Sequence, residues 1–259
     1  MGGPGLSRIV AVAANTFRET VRERVLYNLL FFALLMTASS LLLGQLSIRQ
    51  DEKIVKDLGL ASVDIFGTVI ALFIGVGLIG KEIERRSLHP LLARPLRRHE
   101  FLLGKFVGLG VTLLVNTLLM SLGLFATLLL RYRRADPALL KAVLAIYMSL
   151  LLVVAVTLFF STLATSTLVA TLFSLGVVVA GRYSEVIRNM RDVTNVPEWV
   201  VTGLYWALPN FHNFDIKTEV VHGDPVALAA LGYMAAYLVI YAAILLLLAQ
   251  IAFSRRDLQ

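Results

Sequence analysis

The run Gly75-Val76-Gly77-Leu78-Ile79-Gly80-Lys81 carries two spacings that elsewhere cradle phosphate. It contains G-x-G-x-x-G, and it matches G-x-x-x-x-G-K until Glu82 stands where a Ser or Thr belongs. A phosphate loop has to leave a strand and open a helix in a soluble αβ unit. This run instead closes an uncharged apolar stretch, and a carboxylate in place of the Mg²⁺-binding hydroxyl repels phosphate. Its glycines read as a small-residue helix face for close packing in lipid, so no ATP site is expected on this chain. The four histidines, His89, His99, His212 and His222, have no metal-ligand spacing. With no cysteine, disulfides and thiolate metal or redox chemistry are excluded. No Ser/His/Asp set or acid pair is arranged for hydrolysis, so neither a catalytic residue nor a resident cofactor is expected.

The densest charge follows directly. Glu82, Glu84, Arg85 and Arg86 lead into Leu88, Leu91, Leu92, Arg94, Pro95, Leu96, Arg97, Arg98, Glu100 and Phe101. A short amphipathic helix interrupted at Arg94-Pro95 would present arginines and a leucine ridge to a partner. The alternative is a solvated loop whose charge only sets topology.

Few polar groups sit in the apolar stretches. Asp64, near the outer end of a span, reads as a headgroup-level cap or as part of a cargo path. Asn116, Thr117 and Ser121, and the single-faced Tyr233, Tyr237 and Tyr241, either line a path or hydrogen-bond between helices. An intramembrane acid or base marks an ion-coupled carrier, and their scarcity favours an energy source outside the membrane.

The elements that must hold these residues follow from composition. The chain of 259 residues is 58% hydrophobic and 16% charged, with mean hydropathy +0.80. A soluble domain carries about 25% charged residues, and a soluble core of this length cannot hide so much apolar surface. The net charge of +7 belongs to the flanks of spans rather than to a soluble basic face, so nucleic acid is not an expected partner. A spanning helix needs about 20 apolar residues. Uncharged stretches occur at 25–48, 65–80, 106–130, 142–181 and 225–254. As one helix the fourth would reach about 60 Å, so it must be a hairpin that breaks in the hydroxyl-rich run Ser161 to Thr167. Alternating ten-residue strands are absent, which excludes a barrel.

The expected fold is therefore an all-α membrane protein, one transmembrane domain over 1–259. Its spans fall at about 25–47, 60–80, 105–130, 142–161, 167–181 and 226–252. The first apolar run is too long and too late for a cleavable signal peptide, so it reads as a retained span. With the N-terminus cytosolic, 13 Lys and Arg lie inside and 11 outside. The dense cluster at 81–105 and the first-span flank support that orientation, while Arg131–Arg134 runs against it. Residues 1–24 carry the apolar stripe Ile9, Val10, Val12, Ala13, Phe17 and Val21, expected to lie on the cytosolic leaflet. Residues 82–104 are expected to be cytosolic. Residues 182–225 are expected outside, with Pro197 opening and Pro209 ending a short re-entrant or interfacial helix. Trp199, Tyr205 and Trp206 suit a headgroup boundary.

The block Glu82 to Arg86, then Leu91 to Phe101 around Arg94-Pro95-Leu96-Arg97, then Leu103-Gly104-Lys105-Phe106-Val107-Gly108, resembles the loop between spans two and three of ABC-2 type permeases. It is especially similar to the bacterial group associated with multicopper-enzyme maturation. Asn15-Thr16-Phe17-Arg18-Glu19 and Phe253-Ser254-Arg255-Arg256-Asp257-Leu258 resemble the same group. The resemblance implies six spans in the bacterial inner membrane and pairing with a second permease copy, identical or paralogous. It also implies docking on a separate ABC ATPase that binds ATP and Mg²⁺. The coupling residues it implies are Glu82, Glu84, Arg85, Leu92, Arg94, Pro95, Arg97 and Arg98. A non-transporting anchor or sensor that recruits such an ATPase is the alternative reading.

Overall fold

The computed structural model describes residues 4–23, 31–32, 35, 51–84, 98–133, 136–189 and 197–255. All regular structure among them is helical, with no strand. The helices are α1 (Pro4–Glu23), α2 (Asp51–Glu84), α3 (Arg98–Tyr132), α4 (Ala138–Leu163), α5 (Thr167–Arg182), α6 (Ser184–Asn189), α7 (Glu198–Ala207), α8 (Lys217–His222) and α9 (Leu228–Arg255). A 3₁₀ turn at Phe211–Phe214 lies between α7 and α8.

Within α2, α3, α4 and α9 the described residues hold four segments long and apolar enough to cross a membrane, and α5 is a shorter apolar helix. The expected first span, about 25–47, lies outside the described residues apart from Phe31, Phe32 and Leu35. Helix α4 is the centre, with α2, α3, α5 and α9 all packed on it. Every residue from Leu152 to Leu158 is buried, which is why its sequence shows no polar face. Helix α9 is peripheral and turns Tyr233, Val239, Ile240 and Leu247 outward.

The hydroxyl-rich run resolves into two tasks. Ser161 and Thr162 stay in α4 and donate back to the carbonyls of Thr157 (2.7 Å) and Phe159 (2.7 Å). Ser166 then caps α5, accepting from the Val169 N–H at 3.4 Å. The interruption is the link Ala164–Ser166, with Ala164 extended. Side-chain bonds of this kind satisfy polar groups where no water competes.

Two elements begin earlier than composition indicated. Helix α2 opens at Asp51 rather than near residue 60, and its 34 residues span about 51 Å. Lys56 thus lies on the helix, where Glu52 (2.8 Å) and Asp136 (3.1 Å) pair with it. Helix α3 already runs from Arg98, so the end of the expected 82–104 loop is helical. Helix α1 packs lengthwise on the start of α3. Added Cβ atoms at Gly104 and Gly108 would stand 2.6 Å from Val12 Cβ and 2.7 Å from Thr16 Cβ. Gly104-x-x-x-Gly108 is a small-residue cradle for close helix approach. Arg8 reaches Glu100 at 3.6 Å.

Contacts set the two ends of the bundle. The starts of α1 and α3 and the end of α9 meet at one end, where Phe101 stacks on Phe253 at 6.3 Å and Lys105 lies 5.5 Å over the Phe101 ring. The last turn of α2 is at that end too, as the contact of Gly75 with Thr157 near the end of α4 shows. The starts of α2, α4 and α9 and the end of α5 meet at the other, where the 3₁₀ turn and α8 form a cap.

Candidate functional site

The cap is held at a buried charge cluster. Asp64 on α2 is 4% exposed. Arg182, the last residue of α5, grips it with two parallel bonds, Nη1 to Oδ2 and Nη2 to Oδ1, each 2.7 Å. Nη2 also donates to Thr68 Oγ1 at 2.7 Å, one turn along α2. Lys217 of α8 donates to Asp64 Oδ2 at 2.8 Å and lies 3.5 Å from the half-exposed Asp215. Bidentate charge-assisted bonds are among the strongest in proteins. Removing one partner of such a buried pair typically costs about 3–5 kcal/mol, because a bare charge remains. Burial opposes the charge on Lys217, but the Asp64 carboxylate outweighs it and holds the ammonium pKa above the ordinary lysine value.

A partly open pocket of about 50 Å³ lies beside it, with Asp64, Ile146, Ser149, Arg182, Phe214 and Lys217 on its walls and the exposed His212 and Asp215 at its rim. Local chemistry forms its lid. Pro209 cannot continue α7, and Asn210 caps the 3₁₀ turn by accepting from the His212 N–H at 3.0 Å. Ser184 donates to the same Asn210 oxygen at 2.9 Å. Phe211 and Phe214 are buried, with Phe211 against Gly181, where an added Cβ would stand 2.8 Å from the ring. Gly223, at φ 86°, ends α8 in the left-handed conformation.

Asp64 is therefore a buried ion-pair centre. Its partners lie in the segment read as an external loop. Tyr237 braces the cap, accepting from the Asn210 N–H at 2.8 Å, and Tyr241 donates to the Ala207 carbonyl at 2.8 Å. Tyr233 is exposed. Asn116 sits elsewhere, fully buried on α3. Its Nδ2 meets only Met120 Sδ at 3.4 Å, and its Oδ1, like the hydroxyls of Thr117 and Ser121, has no hydrogen-bond partner among the described residues.

Arg85, Leu92, Arg94, Pro95 and Arg97 lie outside the described residues. Glu82 and Glu84 are in the last turn of α2 and Arg98 opens α3, with their side chains outside the described part. These two helix ends are at the opposite end of the bundle from Asp64. Sequence reasoning missed Arg182, Lys217 and the Gly104/Gly108 cradle. For the glycines a signal existed in their four-residue spacing; for the two cations nothing local marked a partner. Among the described residues no group of His, Cys, Asp and Glu is placed to hold a metal ion.

An all-helical bundle with four apolar helices long enough to cross a membrane has the architecture of a membrane protein. The chain matches the ABC-2 family transporter proteins over residues 10–258 and belongs to that family. It is thus a transmembrane permease component, of a class that has no ATP site of its own and normally pairs with an ABC ATPase. Comparison with curated proteins returns no match.

Proposed function

We propose that this chain is the permease subunit of an ABC exporter or importer in the bacterial cytoplasmic membrane. It crosses six times with cytosolic termini, pairs with a second permease copy and moves its cargo by the hydrolysis of ATP and Mg²⁺-ATP chemistry on a separate ATPase. The observation that carries the reading is the family match across residues 10–258. It is supported by the starts of α1 and α3 and the ends of α2 and α9 lying at one end of the bundle, opposite the cap. Glu82, Glu84, Arg85, Leu92, Arg94, Pro95, Arg97 and Arg98 form the coupling segment, with Leu92 as an anchor for a groove of the ATPase and the arginines setting register. Asn116, Thr117 and Ser121 are the path-lining groups. A buried polar group without a partner costs about 1–3 kcal/mol, a cost that contact with passing cargo would justify.

Charge reversal tests the coupling. A desolvated like-charge pair is costly, so Arg94→Glu and Arg97→Glu, and also Leu92→Asp, insert normally but lose ATPase co-purification or stimulated hydrolysis in lipid. Arg133→Glu, at the capped end, leaves both unchanged. Parental binding and stimulation by the Arg94 and Arg97 variants would reduce the segment to a topology signal.

A further inference from the structure

Three charges from three separate elements meet at Asp64, and their arrangement divides cleanly. Asp64 and Arg182 both belong to the bundle and are bidentately paired, with Thr68 as a third contact, through bonds that involve no atom of α8. Lys217 belongs to α8, and Asp215, 3.5 Å away and 45% exposed in its side chain, precedes it by two residues on the same segment. Parting Lys217 from Asp64 therefore leaves a neutral pair on each side. Neither side is left with a bare buried charge, the feature that makes most buried ion pairs so costly to break. The α8 helix is six residues long and ends at Gly223, where nothing lies within 4 Å of the Cβ position. The turn before it remains seated through the buried Phe211 and Phe214. Beneath α8 only Val220 and Val221 of its own residues are buried.

We propose that Lys217 and Asp64 form a releasable latch: α8 is a strap that swings about the 3₁₀ turn and Gly223, exposing the buried Ser149 wall of the pocket to water. Arg182 acts as the keeper, holding Asp64 paired and aimed when Lys217 leaves. The latch is a property of this chain alone, so its test needs neither ATPase nor cargo and stands apart from the coupling assignment.

The chain contains no cysteine, so Ser149→Cys, at a site 5% exposed, is a sole thiol. The full chain in phospholipid nanodiscs is labelled with a charged maleimide, with Thr218→Cys as the exposed reference. Ser149→Cys labels much more slowly than the reference. Adding Lys217→Met raises its rate about tenfold or more, the factor given by a loss of ~1.4 kcal/mol of closure. Lys217→Arg restores the slow rate. On the unsubstituted chain, hydrogen exchange at Val220 and Gly223 amides is fast while α4 amides stay protected. Labelling of Ser149→Cys at one rate with or without Lys217→Met would overturn the latch. So would α8 amides as protected as those of α4.

Discussion

Replacing Gly75 with alanine, and Gly77 in a parallel variant, separates a packing face from a nucleotide pattern. Both glycines belong to the G-x-G-x-x-G run, but both lie inside α2. A Cβ at Gly75 would stand 2.9 Å from Thr157 Cβ and nearer still to Thr157 Oγ1. Thr157 is fully buried in α4, and its hydroxyl donates to the Val154 carbonyl at 2.8 Å. Turning χ1 would move Oγ1 but not Cβ. Carbon contacts settle at about 3.5–4.0 Å, so α2 and α4 must part by roughly 0.6–1 Å, enough to lose a quarter to a half of the local dispersion energy. Overpacking of this kind costs about 1–3 kcal/mol, and the better helix propensity of alanine returns about 0.5–1. Gly75→Ala is therefore destabilised by a net of about 0–2.5 kcal/mol, with a midpoint of roughly 1. At Gly77 nothing lies within 4 Å, so its alanine variant gains about 0.5–1 kcal/mol from propensity alone. Equilibrium unfolding of the purified chain in mixed micles of rising SDS fraction compares the two. Gly75→Ala above parental stability, or Gly77→Ala below Gly75→Ala, refutes the helix-face reasoning.

The chain has only two tryptophans, Trp199 and Trp206, seven residues apart on α7 and each 76% exposed. In vesicles of brominated phospholipid, bromines near the headgroup should quench their emission more than bromines deep in the chains; the reverse order would remove α7 from the interface. At the opposite end, Gly108→Val should lift α1 from its cradle and raise tryptic cleavage at the exposed Arg18, about tenfold for each ~1.4 kcal/mol of lost packing. Gly176→Val, where nothing lies within 4 Å, is the control, and equal digestion of the two would contradict the cradle.

Much of the chain could be read without tertiary information. The apolar excess alone placed it in lipid, since water cannot solvate so much carbon. The length limit on a single crossing located the break in the hydroxyl run, and Pro197 and Pro209 bracketed α7 through the chemistry of a missing N–H. What lay beyond reach was which faces meet. Inside lipid a helix is apolar all round, so α4, buried on every side through its middle, and α9, largely exposed, look alike in sequence. Gly75 and Gly77 look alike as well, and only α4 lying against the first tells them apart. The Asp64 centre is the extreme case. Its partners stand 118 and 153 residues away, in a segment whose cations are indistinguishable from topology-setting charge. Composition decides how much charge a membrane protein carries; the closing of the bundle, by bringing α5 and α8 over one carboxylate, decides which charges are buried together.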